Sequence, residues 1–115
     1  MVGTAINNVG DLPADLELIY DLGSIDSGVE INLLQNNTSI GYMKLESIIP
    51  ISGDTYISIN SRTQLIEGLD ATKEKTGTLY NKYLTTGDFI HPPLGNTLLT
   101  STKAYEFGTY TPIFY

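Results

Sequence analysis

Side chains that could do acid–base chemistry are sparse in this chain of 115 residues. His91 is the one histidine, there is no cysteine, and no Gly-x-Ser-x-Gly motif is present. Catalysis would need a second positioned group beside the imidazole. Because His91 stands before two prolines, we predict a half-buried packing residue with a satisfied ring. The chain is therefore predicted not to be an enzyme; an enzymatic role would require His91 to lie in a pocket beside a carboxylate.

The acidic segment DLPADLELIYD (11–21) is the candidate for a calcium site. Calcium loops need oxygen ligands that converge from a tight turn containing glycine. This segment has no glycine, and its alternation spreads Asp15, Glu17 and Asp21 along one wet face of a strand. We predict a solvated face, with no bound metal and no cofactor.

Eight tyrosines are the richest chemical feature, and there is no tryptophan. Exposed tyrosines anchor protein contacts and stack on sugars, but they are also common in strands and cores. Alternation in TYISIN (55–60) places Tyr56 on an outer face. For a protein contact the candidates are Tyr56, Tyr80 and Tyr83, each of which could equally be a packing residue. For a sugar site the candidates are Tyr56, Asn60, Arg62 and Asn32.

The charge of −7 is unevenly distributed. Residues 1–43 contain six acids and no lysine or arginine, whereas the rest of the chain is nearly balanced. Nucleic acids and anionic membranes require basic patches, so both are poor partners.

No run of about 18 apolar residues is present, which excludes a membrane-inserted helix. The first residues, MVGTAINNVG, do not form a signal peptide, and the lack of cysteine fits synthesis in a cytosol.

Apolar and polar residues alternate with period two in several segments. In 15–21 the inward residues are Leu16, Leu18 and Tyr20, and 29–33 and 55–60 alternate in the same way. Segment 29–48 is predicted to be a hairpin about the turn QNNT, and further strands are predicted at 63–69, 97–101 and 105–115. About eight short strands separated by Gly-, Asn- and Asp-rich turns predict a single all-β domain, 1–115, folded as an antiparallel β-sandwich.

Two segments carry separate predictions. Tyrosines and leucines at helical spacing predict one short helical turn near 78–84 that crosses the sandwich. The aromatic C-terminal strand is predicted to be ordered and partly buried at Tyr110, Ile113, Phe114 and Tyr115.

Three segments together resemble the C-terminal domain of siphophage distal tail (Dit) proteins. They are GDTYISINSRTQLIEG (53–68), TGTLYNKYLTTGDFIHPPLGNTLLTS (76–101) and GTYTPIFY (108–115). The ordered features are a Gly-Asp pair opening a strand, a tyrosine-containing YNKYL piece, an Asp-Phe step, a Pro-Pro turn, Asn-Thr-Leu and a terminal aromatic strand. INNVGDLPADLELIYDL (6–22) is similar to the family's domain entry. Leu94 before the glycine of HPPLGN departs from the family's turn.

The resemblance implies a galectin-like, or jelly-roll-like, sandwich and a non-enzymatic structural role in the phage tail tip or baseplate. It implies a virion component, made in the host cytoplasm, that docks other tail or receptor-binding proteins during host adhesion. The alternative is a carbohydrate-binding module that recognises host cell-wall polysaccharide. Ring assembly is expected only if an N-terminal ring-forming domain is present elsewhere. The galectin sugar site is not implied, because it requires a tryptophan.

Overall fold

A computed structural model describes residues 2–114, in which ten strands form two five-stranded antiparallel sheets. The strands are β1 (Val2–Asn8), β2 (Leu12–Asp21), β3 (Val29–Gln35), β4 (Thr38–Leu45), β5 (Tyr56–Asn60), β6 (Leu65–Leu69), β7 (Lys75–Leu79), β8 (Leu84–Gly87), β9 (Gly95–Ser101) and β10 (Glu106–Ile113). The helical elements are α1 (Leu22–Ile25) and a 3₁₀ turn, Asn81–Tyr83.

Sheet I has the order β1-β9-β3-β4-β8, and sheet II has the order β10-β2-β5-β6-β7. The two sheets pack face to face, so the predicted antiparallel sandwich is confirmed. Alternation decides which side chains enter the core: Leu16, Leu18 and Tyr20 of β2 are buried. On the other sheet, Ile31 and Leu33 of β3 are buried opposite them. Burial of such side chains is the main stabilising term of the fold.

The predicted hairpin at 29–48 is confirmed as β3 and β4. The strands are paired from Val29↔Leu45 to Gln35↔Thr38. Asn36 and Asn37, with φ of 51° and 64°, form the two-residue connection. Two consecutive positive φ angles are typical of a type I′ turn, whose twist matches that of the strands.

The helical turn predicted near 78–84 is shorter than expected, at Asn81–Tyr83. It leads from β7, at an edge of sheet II, to β8, at an edge of sheet I, so it crosses the sandwich as predicted. β7 and β8 themselves, and also β1, were not predicted as strands. All three are sheet edges. β7 and β8 contain no buried residue, and in β1 Ile6 is the one buried apolar residue among those described, so the sequences lack the apolar alternation of an inner strand.

Asn8 fixes the end of β1 and explains the sequence Asn-Val-Gly at 8–10. Its buried side-chain amide donates to the carbonyls of Leu12 (3.1 Å) and Pro92 (3.0 Å), and its Oδ1 accepts from the N–H of Gly10 (2.9 Å). A Cβ on Gly10 would meet the backbone of Ile113 at 2.7 Å. The Asn8 side chain therefore joins β1, the start of β2 and the Pro-Pro segment.

The terminal strand β10 pairs with β2 from Glu106 to Ile113. Tyr110 and Ile113 are partly buried, as predicted. Phe114 is 61% exposed, so the prediction of burial is wrong there, because the strand has already ended. Tyr115 lies outside the described residues.

Candidate functional site

The outer face of sheet II brings together three of the predicted site residues. Tyr56 and Asn60 stand at opposite ends of β5, and the register pairs them with Asp21 and Glu17 of β2. Since side chains two residues apart share a face, Tyr56 and Asn60 point outward together, and Arg62 follows just after the strand.

A polar groove of about 340 Å³ opens on this face, between β10, β2 and β5. Its lining residues are Asp15, Glu17, Asn60, Arg62, Lys75, Thr109 and Thr111. We call it the polar groove. It combines carboxylates, which accept hydrogen bonds, with guanidinium, ammonium and amide groups, which donate them. A polyhydroxylated molecule needs both kinds of partner.

Arg62 is the one arginine of this acid-rich chain, and it is exposed. No acid or hydrogen-bond acceptor contacts its guanidinium in the part of the chain that the structure describes. Asn60 instead uses its Oδ1 to accept from the backbone N–H groups of Arg62 (3.0 Å) and Thr63 (3.3 Å). The Asn60 side chain thereby holds the backbone of the loop, and the charged end of Arg62 is left available to a ligand.

The acidic side of the groove is built around a glycine. Glu17 accepts a short hydrogen bond from the Ser58 hydroxyl, and its carboxylate lies where a Cβ of Gly108 would be. At the opposite side Lys75 forms an ion pair with Glu67, 3.3 Å away. These contacts fix groups of both signs around the groove.

The ring of Tyr56 is partly covered. The Lys73 ammonium lies 5.3 Å from the ring centroid and 2.6 Å from a Glu106 carboxylate oxygen. The hydrogen bond to Glu106 raises the pKa of Lys73, and the ammonium makes a cation–π contact with the ring. Tyr56 also lines a cavity of about 300 Å³ with Ile19 and Tyr105. One face of the ring is therefore covered by Lys73.

Tyr80 and Tyr83 lie at the crossover between the sheets rather than on the outer face. Tyr80 is 1% exposed, and its hydroxyl donates to Asp54 (2.6 Å) and accepts from the N–H of Ile51 (3.0 Å). Burial, together with the Asp54 hydrogen bond, raises the pKa of Tyr80 to about 12. Tyr83 packs against it with ring centroids 6.0 Å apart. Of the two interpretations of Tyr80, this placement favours packing, since a partner cannot reach the side chain in the folded chain.

Asn32, the fourth residue of the predicted sugar set, belongs to β3 in sheet I. Its side-chain oxygen accepts from the Ser39 hydroxyl at 2.8 Å. The structure therefore does not bring Asn32 to Tyr56, Asn60 and Arg62. Period-two alternation predicts which side chains share one face of a strand. It does not predict to which sheet the strand belongs, because that depends on pairing with strands remote in sequence.

His91 stands beside a carboxylate, with Nδ1 3.3 Å from Oδ1 of Asp15. Its side chain is 36% exposed and borders a groove of about 480 Å³ that includes Leu33, Ile40 and Phe89. The geometric condition set for an enzymatic role is thus met in part. Among residues 2–114 no hydroxyl forms a hydrogen bond with the imidazole, so no side-chain nucleophile is paired with it. The pair ties the Pro-Pro segment to β2.

Residues 2–114 contain no cluster of three or more His, Cys, Asp or Glu side chains suited to a metal ion. The described helices are all too short to cross a membrane.

A third groove, of about 320 Å³, lies where β1 and β10 face each other without being joined. Its lining residues are Thr4, Ala5, Ile6, Asn7, Phe107 and Tyr110, and we call it the open-side groove. Tyr105 and Phe107 meet edge to face at 5.6 Å, and Tyr105 also bonds the Thr4 hydroxyl at 2.5 Å. Sequence reasoning missed this groove because β1 was not recognised as a strand. The first ten residues contain no charged side chain, and this was the sequence signal that could have indicated an uncharged strand there.

No protein-family model matches the chain, and a search of curated proteins gives no match. Among solved structures, the chain is similar to the crystal structure of the SPP1 Dit (gp 19.1) protein, described as a paradigm of the hub adsorption apparatus in phages that infect Gram-positive bacteria. The TM-score is 0.60 at 16% sequence identity over 91% of this chain. The chain spans 40% of the length of that protein. The fold of this chain is thus similar to part of a Dit protein.

Proposed function

We propose that this protein is a non-enzymatic structural component of a phage tail tip or baseplate, in which it docks other tail or receptor-binding proteins. The observation that carries the proposal is the likeness of nearly the whole chain to part of a phage hub protein. The ordered sequence features of the Dit C-terminal domain support it independently of the structure comparison. On this proposal the chain corresponds to that C-terminal galectin-like domain and is a virion component made in the host cytoplasm. Since the chain spans 40% of that hub protein, we expect ring assembly only where a further domain supplies it.

Antibody labelling of intact virions tests the location. Gold-labelled antibodies raised against the purified chain should decorate the tail tip in electron micrographs. Pre-adsorbing the antibody with the chain should remove the label. Labelling confined to the capsid, or virions that lack the chain, would contradict the proposal.

Direct binding tests the docking role. The immobilised chain should bind at least one purified tail or receptor-binding protein of the same phage saturably, while the major capsid protein of that phage serves as the control. If every tail protein behaves like the capsid protein, docking by this chain is excluded.

A second candidate function is recognition of a host cell-wall polysaccharide. It is favoured by the polar groove, where an unpaired Arg62, the Asn60 amide and the carboxylates of Asp15 and Glu17 offer donors and acceptors on one face with Tyr56. Titration calorimetry with a panel of wall polysaccharides should then show saturable binding that Arg62→Gln weakens. Lys82→Gln, an exposed cation at the 3₁₀ turn, is the matched control. No heat of binding across the panel would reject this second function and leave docking untouched.

A further inference from the structure

The four sheet edges within residues 2–114 differ in how they are protected against pairing. β10 contains Pro112 and two register shifts, β7 has an exposed lysine and a register shift, and β8 is only four residues long. Proline, lysine, bulges and shortness are the usual means by which proteins block an edge. β1 has none of them. It pairs with β9 over seven residues without a shift, and it carries no charge and no proline.

The groove beside this edge is apolar and contains a polar atom without a partner. Ile6 is 7% exposed and Phe107 is 38% exposed. The Tyr110 hydroxyl is buried and makes no hydrogen bond with any described residue. A buried hydroxyl without a partner is costly, so a ligand that enters the groove and turns the Tyr110 side chain toward itself would satisfy this group.

We propose that β1 accepts an extended segment of a partner protein as an added strand of sheet I, with alternate side chains of that segment entering the open-side groove. Main-chain hydrogen bonds along an edge give affinity in this mode, and pockets for alternate side chains give specificity. The inference rests on the proposed docking function and deepens it, by naming the surface and the form of the partner.

Charge decides between a partner protein and a second copy of the chain. Each copy has a charge of −7, and β1 contains no base that would offset it. Two copies joined through β1 would bring these like charges together. The complementary segment is uncharged and alternately apolar where it pairs, because β1 and the groove are uncharged, and it has basic residues at its flanks.

A designed peptide tests the edge directly. The probe is a fluorescein-labelled peptide in which threonine and valine alternate between pairs of lysines. We expect saturable binding by fluorescence anisotropy, with amide chemical-shift changes concentrated at Gly3–Asn7. Methylating alternate backbone nitrogens of the peptide keeps its charge but removes strand hydrogen bonds, and should weaken binding at least tenfold. Equal binding of both peptides, or shifts centred on another strand, would overturn the proposal.

Two variants place the contact on the protein. Ala5 is exposed on β1, so Ala5→Lys blocks the edge without entering the core, and Thr86→Lys adds the same charge to the exposed β8 edge as a control. Ala5→Lys should weaken binding at least tenfold, also for a peptide whose lysines are replaced by serine, whereas Thr86→Lys should not.

Tyr110→Phe should weaken binding about three- to tenfold, which is the effect of losing one hydrogen bond. The melting temperature of the free chain should be unchanged or higher. Full binding by both Ala5→Lys and Tyr110→Phe would overturn the proposal.

The same variants separate this inference from the docking function. A tail protein that binds the parent and Ala5→Lys chains equally would overturn strand addition while docking stands. A tail protein that binds the parent chain but not Ala5→Lys supports both. A dimer that Ala5→Lys converts to a monomer would overturn the choice of a partner protein over a second copy.

Discussion

Gly87 shows how a single residue permits two strands to approach. It has a φ of 83° and pairs with Met43 of β4, and a Cβ there would overlap the carbonyl oxygen of Tyr42. We predict that Gly87→Ala lowers the free energy of unfolding by about 2–4 kcal/mol, from backbone strain plus overlap with a rigid group. Gly53→Ala is the matched control. It has a φ of 98° but nothing within 4 Å of the added atom, and should cost about 1 kcal/mol. Equal losses in urea unfolding would show that the overlap is relieved at no cost.

Asp54 gives the fold a dependence on pH. Burial alone would raise the pKa of Asp54, but hydrogen bonds from Thr76, Tyr80 and Thr78 outweigh it and lower the pKa overall. A folded-state pKa below the unfolded value of about 3.9 means that the ionised carboxylate stabilises the fold above that pH. This stabilisation is lost as the pH falls through the folded-state pKa.

We therefore predict that the melting temperature falls between pH 5 and pH 3, and that Asp54→Asn reduces this fall. Asp26→Asn is the control, since Asp26 is exposed and its contact with Ile48 is made through the backbone carbonyl. Scanning calorimetry across this range measures both. If Asp54→Asn retains the full dependence of the parent chain, the dependence arises at other carboxylates.

At the scale of elements, β10 is held by pairing with β2 and by partly buried side chains. Asp11 donates its N–H to the Ile113 carbonyl at 2.7 Å, and Tyr110 packs against the core. Deleting residues 110–115 should unfold the domain, because losing several apolar contacts at about 1.5–3 kcal/mol each approaches the whole stability of about 5–15 kcal/mol. Phe114→Ala, at an exposed position, should change stability by less than about 0.5 kcal/mol. Circular dichroism melting distinguishes them, and a truncated chain that melts like its parent would contradict the prediction.

The elements that could be predicted from sequence are those with one buried face. β2 and β3 alternate because sheet packing buries every second side chain. β5 alternates between apolar and polar residues although Ser58 is also buried, and its alternation places Tyr56 and Asn60 on one face. β7 and β8 are edge strands with few buried residues, so their sequences resemble turns. Arg62 in the polar groove and Asn32 on the opposite sheet depend on strand order, which links residues far apart in sequence. Tyr80 is part of the hydrophobic core and its hydroxyl bonds Asp54, 26 residues away, so its burial could not be read from its own segment.

At the scale of the whole molecule, charge and topology together predict the state of the free chain. The chain carries a charge of −7, and three of its four described sheet edges are protected by proline, lysine, register shifts or shortness. The fourth edge, β1, contains no base, so repulsion between the net charges of two copies opposes its pairing with a second copy. We therefore predict a monomer of 12.6 kDa by light scattering, at both low and physiological salt.

High salt screens the repulsion between two copies of the chain. A dimer that forms only at high salt and is abolished by Ala5→Lys would show that repulsion is what keeps the edge free. A stable dimer or ring at low salt would contradict the prediction and make a second copy the natural occupant of the edge.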